Sequence, residues 1–410
     1  MNIKYLYRYA TLIALKGINA QKGRKYYIDC PVEHYKFADI LAKELYKLGA
    51  SYVHIEYNDS TKKYAYKYAT DLDLLYFPPF EKEMYKTFEK EQYGRIVLTS
   101  PNYSLNNLSR KTIISKASKI KAKAISKYKN SYMENKLEWC IAALPSASWA
   151  DLVFPKEKKE KRYSLLWDAI IKSVRADKDD YLTLWEKHNL DLKKHADYLN
   201  VLNIDRLHIT SFNGTDITIS LVDDYIFEGG TSFTPAGVEF NANMPTEEIF
   251  SMPHKDKVDG ICYSTKPLFL KGEVINNFGL RFKNGKVVEI ICANKNHFEL
   301  LNDLINTDEG SSSLGEVALV SNSSPINASN LLFFNTLFDE NASCHLALGQ
   351  SYSTNMKNSE NYSKEEMKQR GASSSIIHVD FMIGHPTTSI TAITKDGKSI
   401  PIMKSGEFVI

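Results

Sequence analysis

The sequence predicts two joined architectures: an α/β N-terminal domain with a mostly parallel open sheet, and a strand-rich α+β C-terminal domain. Three observations lead there. A chain of 410 residues, 43% apolar and 25% charged, is long for one hydrophobic core, so two domains are expected. The first half alternates helical and strand-like patterns, which by default build right-handed parallel units. From about residue 205 the chain breaks into short alternating segments divided by turn signals. We place the domains at 1–200 and 201–410.

Taken in order, "YLYRYATLIALKG" (6–18) reads as a helix and "RKYYIDC" (24–30) as a short strand. "EHYKFADILAKELYKLGA" (33–50) is a helix closing on a glycine, and "YVHIEYND" (52–59) is the next strand. "YGRIVLTSPN" (93–102) and "LEWCIAALPS" (137–146) repeat the motif of a strand running into a turn. No G-x-G-x-x-G follows any of them, so dinucleotide binding is not expected. A charged helical connector from about 160 to 197 ends the first domain; its His188 and His195 suit surface or packing roles better than ligation. Beyond it, "RLHITSFNG", "DITISLV" and "YSTKPLFLKGEVINNFGLRFKNGKVVEIICA" alternate as strands, with "KNGK" and "KDGK" as hairpin turns.

Composition narrows the function classes. No signal-peptide pattern opens the chain, and no stretch approaches ~18 uninterrupted apolar residues, so a cytoplasmic protein without a membrane span is expected. Cys30, Cys140, Cys262, Cys292 and Cys344 are scattered and odd in number, without a Cys-x-x-Cys pair. That argues against a disulfide framework and a thiolate zinc site. Net charge is only +3, although residues 110–129 carry eight basic residues and no acid. Ile113, Ala117, Ile120 and Ala124 recur there at helical spacing, which reads as a solvated helix with an apolar stripe rather than a nucleic-acid surface.

Four segments carry candidate chemistry. In "NMPTEEIF" (243–250), Glu247 and Glu248 would face opposite ways on a strand, so only one enters a given pocket; at a helix start such a pair is common for dipole reasons alone. In "TDEGSSSLGEVALV" (307–320), Glu316 opens an apolar run; buried there it needs a partner or a metal, whereas on an exposed strand edge it needs neither. In "NTLFDENASCHLALG" (335–349), Glu340 and His345 would sit about 140° apart on an ideal helix, whereas a loop leading into a helix could still bring them together. Tyr352 would return to the face of His345 if a helix persisted past Gly349. In "IIHVDFMIG" (376–384), His378 and Asp380 share one strand face while Ile377, Val379 and Phe381 share the other. The alternative is an aspartate that merely orients a buried histidine.

Together these carboxylates and imidazoles form an oxygen-rich donor set with no obligatory sulfur. It suits one or two divalent ions such as Zn, Co, Mn or Mg. Two ions sharing a bridging carboxylate would lower the pKa of a water and clamp the transition state of a hydrolysis. A metallohydrolase follows as one reading, and a protein merely stabilised by metal as another.

"PTEEIF", "STKPL", "TDEGSSSLGEVALV", "NTLFDENASCHLALGQSY" and "HVDFMIG" are similar, in content and order, to signatures of the leucyl aminopeptidase T family. These are the M29 thermophilic metalloaminopeptidases, which include bacterial aminopeptidases T and S. The resemblance runs through nearly the whole chain, more sparsely in "YATLIALKGINAQKG" and "WADLVFP" near the start. It implies an exopeptidase that removes N-terminal residues from peptides with two divalent metal ions per subunit, variously cobalt, zinc or magnesium. It also implies a homodimer with a partly enclosed cavity in the second, catalytic domain.

The resemblance carries metal-ligand roles to Glu316, His345, His378 and Asp380, and to a glutamate of the "PTEE" segment, Glu248 ahead of Glu247. Glu340 and Tyr352 line or bind the centre. Under this reading Glu316 bridges, His345 fixes one ion, and His378 with Asp380 fixes the other or shares its coordination. Glu340 serves as ligand or general base, and Tyr352 as ligand or oxyanion donor. Asp339 and Asn341 are supporting partners, Cys344 is a small buried neighbour, and Lys266 either holds a substrate carboxylate or lies on the surface. A dipeptidase or amidase with the same centre is the related alternative.

Overall fold

A computed structural model describes residues 2–58, 61–101, 111–270 and 273–410. Asp59, Asn102, Arg110, Lys271 and Gly272, which end or interrupt segments read above, lie outside the described residues. Two units emerge: Met1–Trp185 with Thr231–Pro245, and Glu186–Gly230 with Thr246–Ile410.

In the first unit the β-branched and aromatic runs form one parallel sheet, in the spatial order Asn243–Met244, Trp139–Ala143, Gly94–Thr99, Lys25–Pro31, Tyr52–Asn58. The strand order reverses beside Lys25–Pro31, as in doubly wound sheets. Consecutive residues such as Tyr26, Tyr27 and Ile28 are fully buried, the pattern of a strand covered on both faces. The first helix, Ile3–Leu12, begins earlier than its periodicity suggested and continues as a π turn, Ile13–Gly17. The helix Tyr35–Lys47 follows the first strand as expected.

Many tyrosines find their use here. Tyr27, Phe88, Tyr93, Tyr128 and Tyr132 build a buried aromatic cluster, with the Tyr27 and Phe88 rings 4.5 Å apart. The basic stretch forms the helices Lys111–Ala124 and Ser126–Met133, with Ile113, Ala117 and Ala124 half-buried along one stripe. The charged connector forms two helices, Lys159–Ser173 and Tyr181–Val201. Among the described residues no helix is long and apolar enough to cross a membrane.

The second unit pairs two antiparallel sheets. The larger has eight strands, in the order Lys286–Cys292, Phe278–Lys283, Pro253–Tyr263, Asp216–Leu221, Ile204–Thr210, Ser389–Thr394, Ser399–Lys404, Glu407–Phe408. "KNGK" and "KDGK" close its hairpins, as the sequence indicates. The smaller has five strands: His378–Met382, His345–Gly349, Leu314–Val320, Glu248–Ser251, Glu228–Gly229. One face of the smaller sheet supplies Ile249, Val317, Leu319, Leu346, Leu348 and Phe381 to a core shared with the larger one. Its other face carries the polar residues.

Candidate metal centre

Strand alternation assembles the site. Along Leu314–Val320, Val317 and Leu319 enter the core, so Glu316 and Ala318 point the other way. Antiparallel neighbours directly opposite share a face. Register therefore transfers this second face across the sheet. Glu248 stands opposite Val320, His345 opposite Ala318, and Ala347 between Glu316 and Asp380. His378, two residues before Asp380, completes the row. Gly349 ends the His345 strand at φ +107°, where a Cβ would lie 2.2 Å from the Ile377 carbonyl oxygen. Only a glycine lets the strand before His378 pass so close.

Two donor sets result, Glu248 with Glu316 and His345, and Glu316 with His378 and Asp380. Glu316 belongs to both. Its Oε1 lies 3.4 Å from His345 Nε2, and its Oε2 lies 3.4 Å from His378 Nε2. Glu248 Oε2 approaches His345 Nε2 at 3.2 Å, and Asp380 Oδ1 approaches His378 Nε2 at 3.3 Å. The sequence left open whether Glu316 sits on an exposed edge; it is 4% exposed, in the middle of the sheet.

The histidine tautomers are set by backbone. His345 Nδ1 faces the Ser343 carbonyl at 3.2 Å, and His378 Nδ1 faces the Gln350 carbonyl at 2.7 Å. A carbonyl only accepts, so each Nδ1 carries the proton, and the neutral ring turns its Nε2 lone pair toward the carboxylates. Lone pairs then face lone pairs across 3.2–3.4 Å, an arrangement that calls for a cation between them. The buried Glu248 Oε2 has no hydrogen-bond donor among the described residues. Both facts fit divalent metal ions, which would replace the missing donors.

Without metal, protons take that place. Burial disfavours an imidazolium at His345, but Glu248 and Glu316 beside it raise its pKa well above the ordinary value. At His378, burial is outweighed by Asp380 and Glu316, which raise it to about 11. Burial pushes the Glu316 carboxyl up, yet the two imidazoles pull it down to about 2. Burial raises Glu248.

Glu340 and Tyr352 flank these sets without belonging to either. His345 begins a strand rather than a helix, and the approach comes from the one-turn helix Glu340–Ala342 before it. Burial, then the charges of Glu248 and Asp380, raise the Glu340 pKa well above the usual carboxylate value. Tyr352 follows the strand's end, and its ring lies 4.8 Å from that of His378. Although 38% of its surface stays open, burial and the charges of Glu316 and Asp380 keep its phenol protonated.

The remaining candidates separate clearly. Glu247 turns away from the donor sets, its Oε2 3.7 Å from His188 Nε2. Asn341, fully buried, accepts the Glu247 N–H through Oδ1 and donates Nδ2 to Glu340 Oε1 at 3.3 Å. Asp339 instead accepts the N–H groups of Phe333 and Asn335, and burial pushes its carboxyl up to about 6. Lys266 is half-buried, with Nζ donating to Asn327 Oδ1 at 2.8 Å. Cys344 is 2% exposed, its Sγ donates to the Val320 carbonyl, and burial pushes the thiol up to about 11.

Sequence reasoning missed the Ser343 and Gln350 carbonyls, because backbone partners leave no residue-type signal. It also missed Glu228, which lies opposite Phe250 on the polar face of the same sheet. A two-residue strand has no periodicity to reveal it.

Comparison with known proteins adds to this geometry. The model of the thermophilic metalloprotease (M29) family matches residues 3–408. Aminopeptidase 2 of Geobacillus stearothermophilus is 38% identical over 406 residues, 99% of this chain and 98% of its own. Aminopeptidase AmpS of Bacillus subtilis is 39% identical over 401 residues, 98% and 97% of the two chains. The solved structure of AmpT from Thermus thermophilus superposes with a TM-score of 0.90 over 100% of both chains, at 31% identity.

Proposed function

Because the chain belongs to the thermophilic metalloprotease (M29) family, we propose that it is a metalloaminopeptidase that hydrolyses the N-terminal peptide bond of peptides with a dinuclear divalent metal centre. One observation carries the reading. The two oxygens of the buried Glu316 carboxylate each face a different imidazole, the disposition a bridging ligand needs.

We assign Glu248, Glu316 and His345 to one ion, and Glu316, His378 and Asp380 to the other. When bound, such ions polarise the scissile carbonyl and acidify a water. The chain's own residues do the rest. The Ser343 and Gln350 carbonyls hold both imidazoles in the ligating tautomer. Glu340, placed beside the donor sets by the turn before His345 and held by Asn341, is the general base that takes a proton from the attacking water and returns it to the leaving amine. Tyr352, protonated beside His378, donates a hydrogen bond to the developing oxyanion. Glu248 rather than Glu247 is the ligand, supported by its place within 3.2 Å of His345.

Zinc, cobalt and magnesium all suit the donor set. We also propose a homodimer acting in the cytoplasm, a reading supported by the family resemblance and by five free cysteines. The test uses the full chain, supplied with each metal in turn and a panel of free and N-acetylated aminoacyl amides. Metal-dependent release of the N-terminal amino acid from free substrates alone supports the reading. Cleavage of the acetylated amides instead makes it an amidase, and silence across the panel overturns it.

A further inference from the structure

Glu228 lies on the polar face of the site sheet but in neither donor set, and nothing in the proposed chemistry uses it. Its contacts lead elsewhere. Glu228 Oε2 accepts from Thr354 Oγ1 at 2.6 Å and from Asn355 Nδ2 at 3.5 Å. Asn355, 1% exposed, also gives Nδ2 to the carbonyls of Ile226 and Phe250, each at 3.3 Å. Its backbone carbonyl accepts the Ile226 N–H at 2.8 Å, and its N–H returns to the Tyr352 carbonyl at 3.2 Å. Thr354 and Asn355 end the single 3-10 turn Ser353–Asn355, which Tyr352 opens as its N-cap.

A three-residue turn of this kind has little stability of its own. Among the described residues the aromatic rings beside Tyr352 are those of His378 and, at 6.0 Å between centroids, Phe250, and 38% of its surface is open. Ring packing alone therefore does not fix where the hydroxyl points. The backbone that carries it is held instead by the Asn355 bonds to Ile226 and Phe250 and by the hydrogen bond that Thr354 donates to the Glu228 carboxylate on the opposite edge of the sheet. Gly229 lets that edge come close, since a Cβ there would meet the Glu248 carbonyl oxygen at 2.6 Å.

We propose that Glu228 is a positioning residue: through Thr354 and Asn355 it locks the turn that aims the Tyr352 hydroxyl across His378 at the scissile carbonyl. This rests on the Tyr352 role proposed above. An angstrom of misplacement at a reacting centre costs on the order of 10²-fold in rate.

The experiment is a double-mutant cycle in the full-length, metal-loaded protein. Peptide turnover, metal content and melting temperature are measured for Glu228→Ala, Tyr352→Phe and the pair. Glu228→Ala should lower kcat by roughly 10- to 100-fold with KM and bound metal unchanged. In the Tyr352→Phe background it should cost nothing further. Glu228→Gln, which still offers Thr354 an acceptor, should recover most of the rate. Thr354→Val serves if Glu228→Ala fails to fold; it should reproduce both the loss and the lack of additivity. Additive losses, a rise in KM alone, or an inert Tyr352→Phe would overturn the proposal. A wild-type protein with no peptidase activity would instead overturn the parent reading.

Discussion

The parallel sheet of the first unit and the smaller antiparallel sheet of the second treat polar residues in opposite ways. The parallel sheet of the first unit buries unbroken apolar runs, Tyr26–Tyr27–Ile28 in one strand and Ala142–Ala143 in another. The five-stranded sheet of the second unit is just as buried, with all seven residues of Leu314–Val320 enclosed. Yet one of its faces holds three carboxylates and two imidazoles in contact. Burying charge costs several kcal/mol per ion unless it is paired or metal-bound. A face like this serves no packing purpose, which singles it out as the candidate site of chemistry.

The comparison breaks most sharply at Glu316. Glu316→Gln should abolish peptide turnover and deplete bound metal while circular dichroism still reports a folded chain. Retained metal and turnover would show that the face is structural after all. Glu340→Gln should be milder: kcat falls by about 10²–10⁴ with metal content unchanged, which separates base from ligand. Loss of metal would move Glu340 among the ligands.

In the first unit Ile96, fully buried in the parallel sheet, should behave as pure packing. Ile96→Ala should cost about 2–5 kcal/mol in denaturant unfolding, and the folded fraction should keep its metal affinity and kcat. A change in metal affinity would blur the contrast between the sheets.

The smallest effect is one of pH on the metal-free protein. His378, raised to about 11, adds stability fully present below its unfolded value of about 6.5 and lost as pH rises through 11. Glu316, lowered to about 2, adds stability present above about 4.3 and lost as pH falls through 2. The contribution of these two groups should therefore be greatest between about pH 4.3 and 6.5 in chelator-treated protein, as urea titrations of the wild type against His378→Ala and Glu316→Gln would show. Metal added near neutral pH should displace protons from the imidazoles, detectable as acid release.

Parts of this were legible at once. His378 and Asp380 announced a shared face because a strand has a period of two, and the structure places them there. Glu316 stood out as a charge entering an apolar run, and Val317 and Leu319 do enter the core beside it. Whether a helix or a strand follows Glu340 was not legible, because small apolar residues, "HLALG", suit a buried strand as well as a helix, and only strand partners decide between them. Asn243–Met244, the fifth parallel strand, is too short to carry any pattern.

By itself, then, the sequence determined the fold class, the family and the residue types a dinuclear centre requires, because periodicity and motif order are local properties. Which of them meet was decided by tertiary pairing. Strands drawn from residues 248, 316, 345 and 378 become neighbours only through antiparallel register, which brings Glu248 beside His345, turns two Nε2 atoms toward one carboxylate, and sets Glu228 on the same face within reach of Thr354. Register depends on a core built by both sheets at once, and no single segment encodes it.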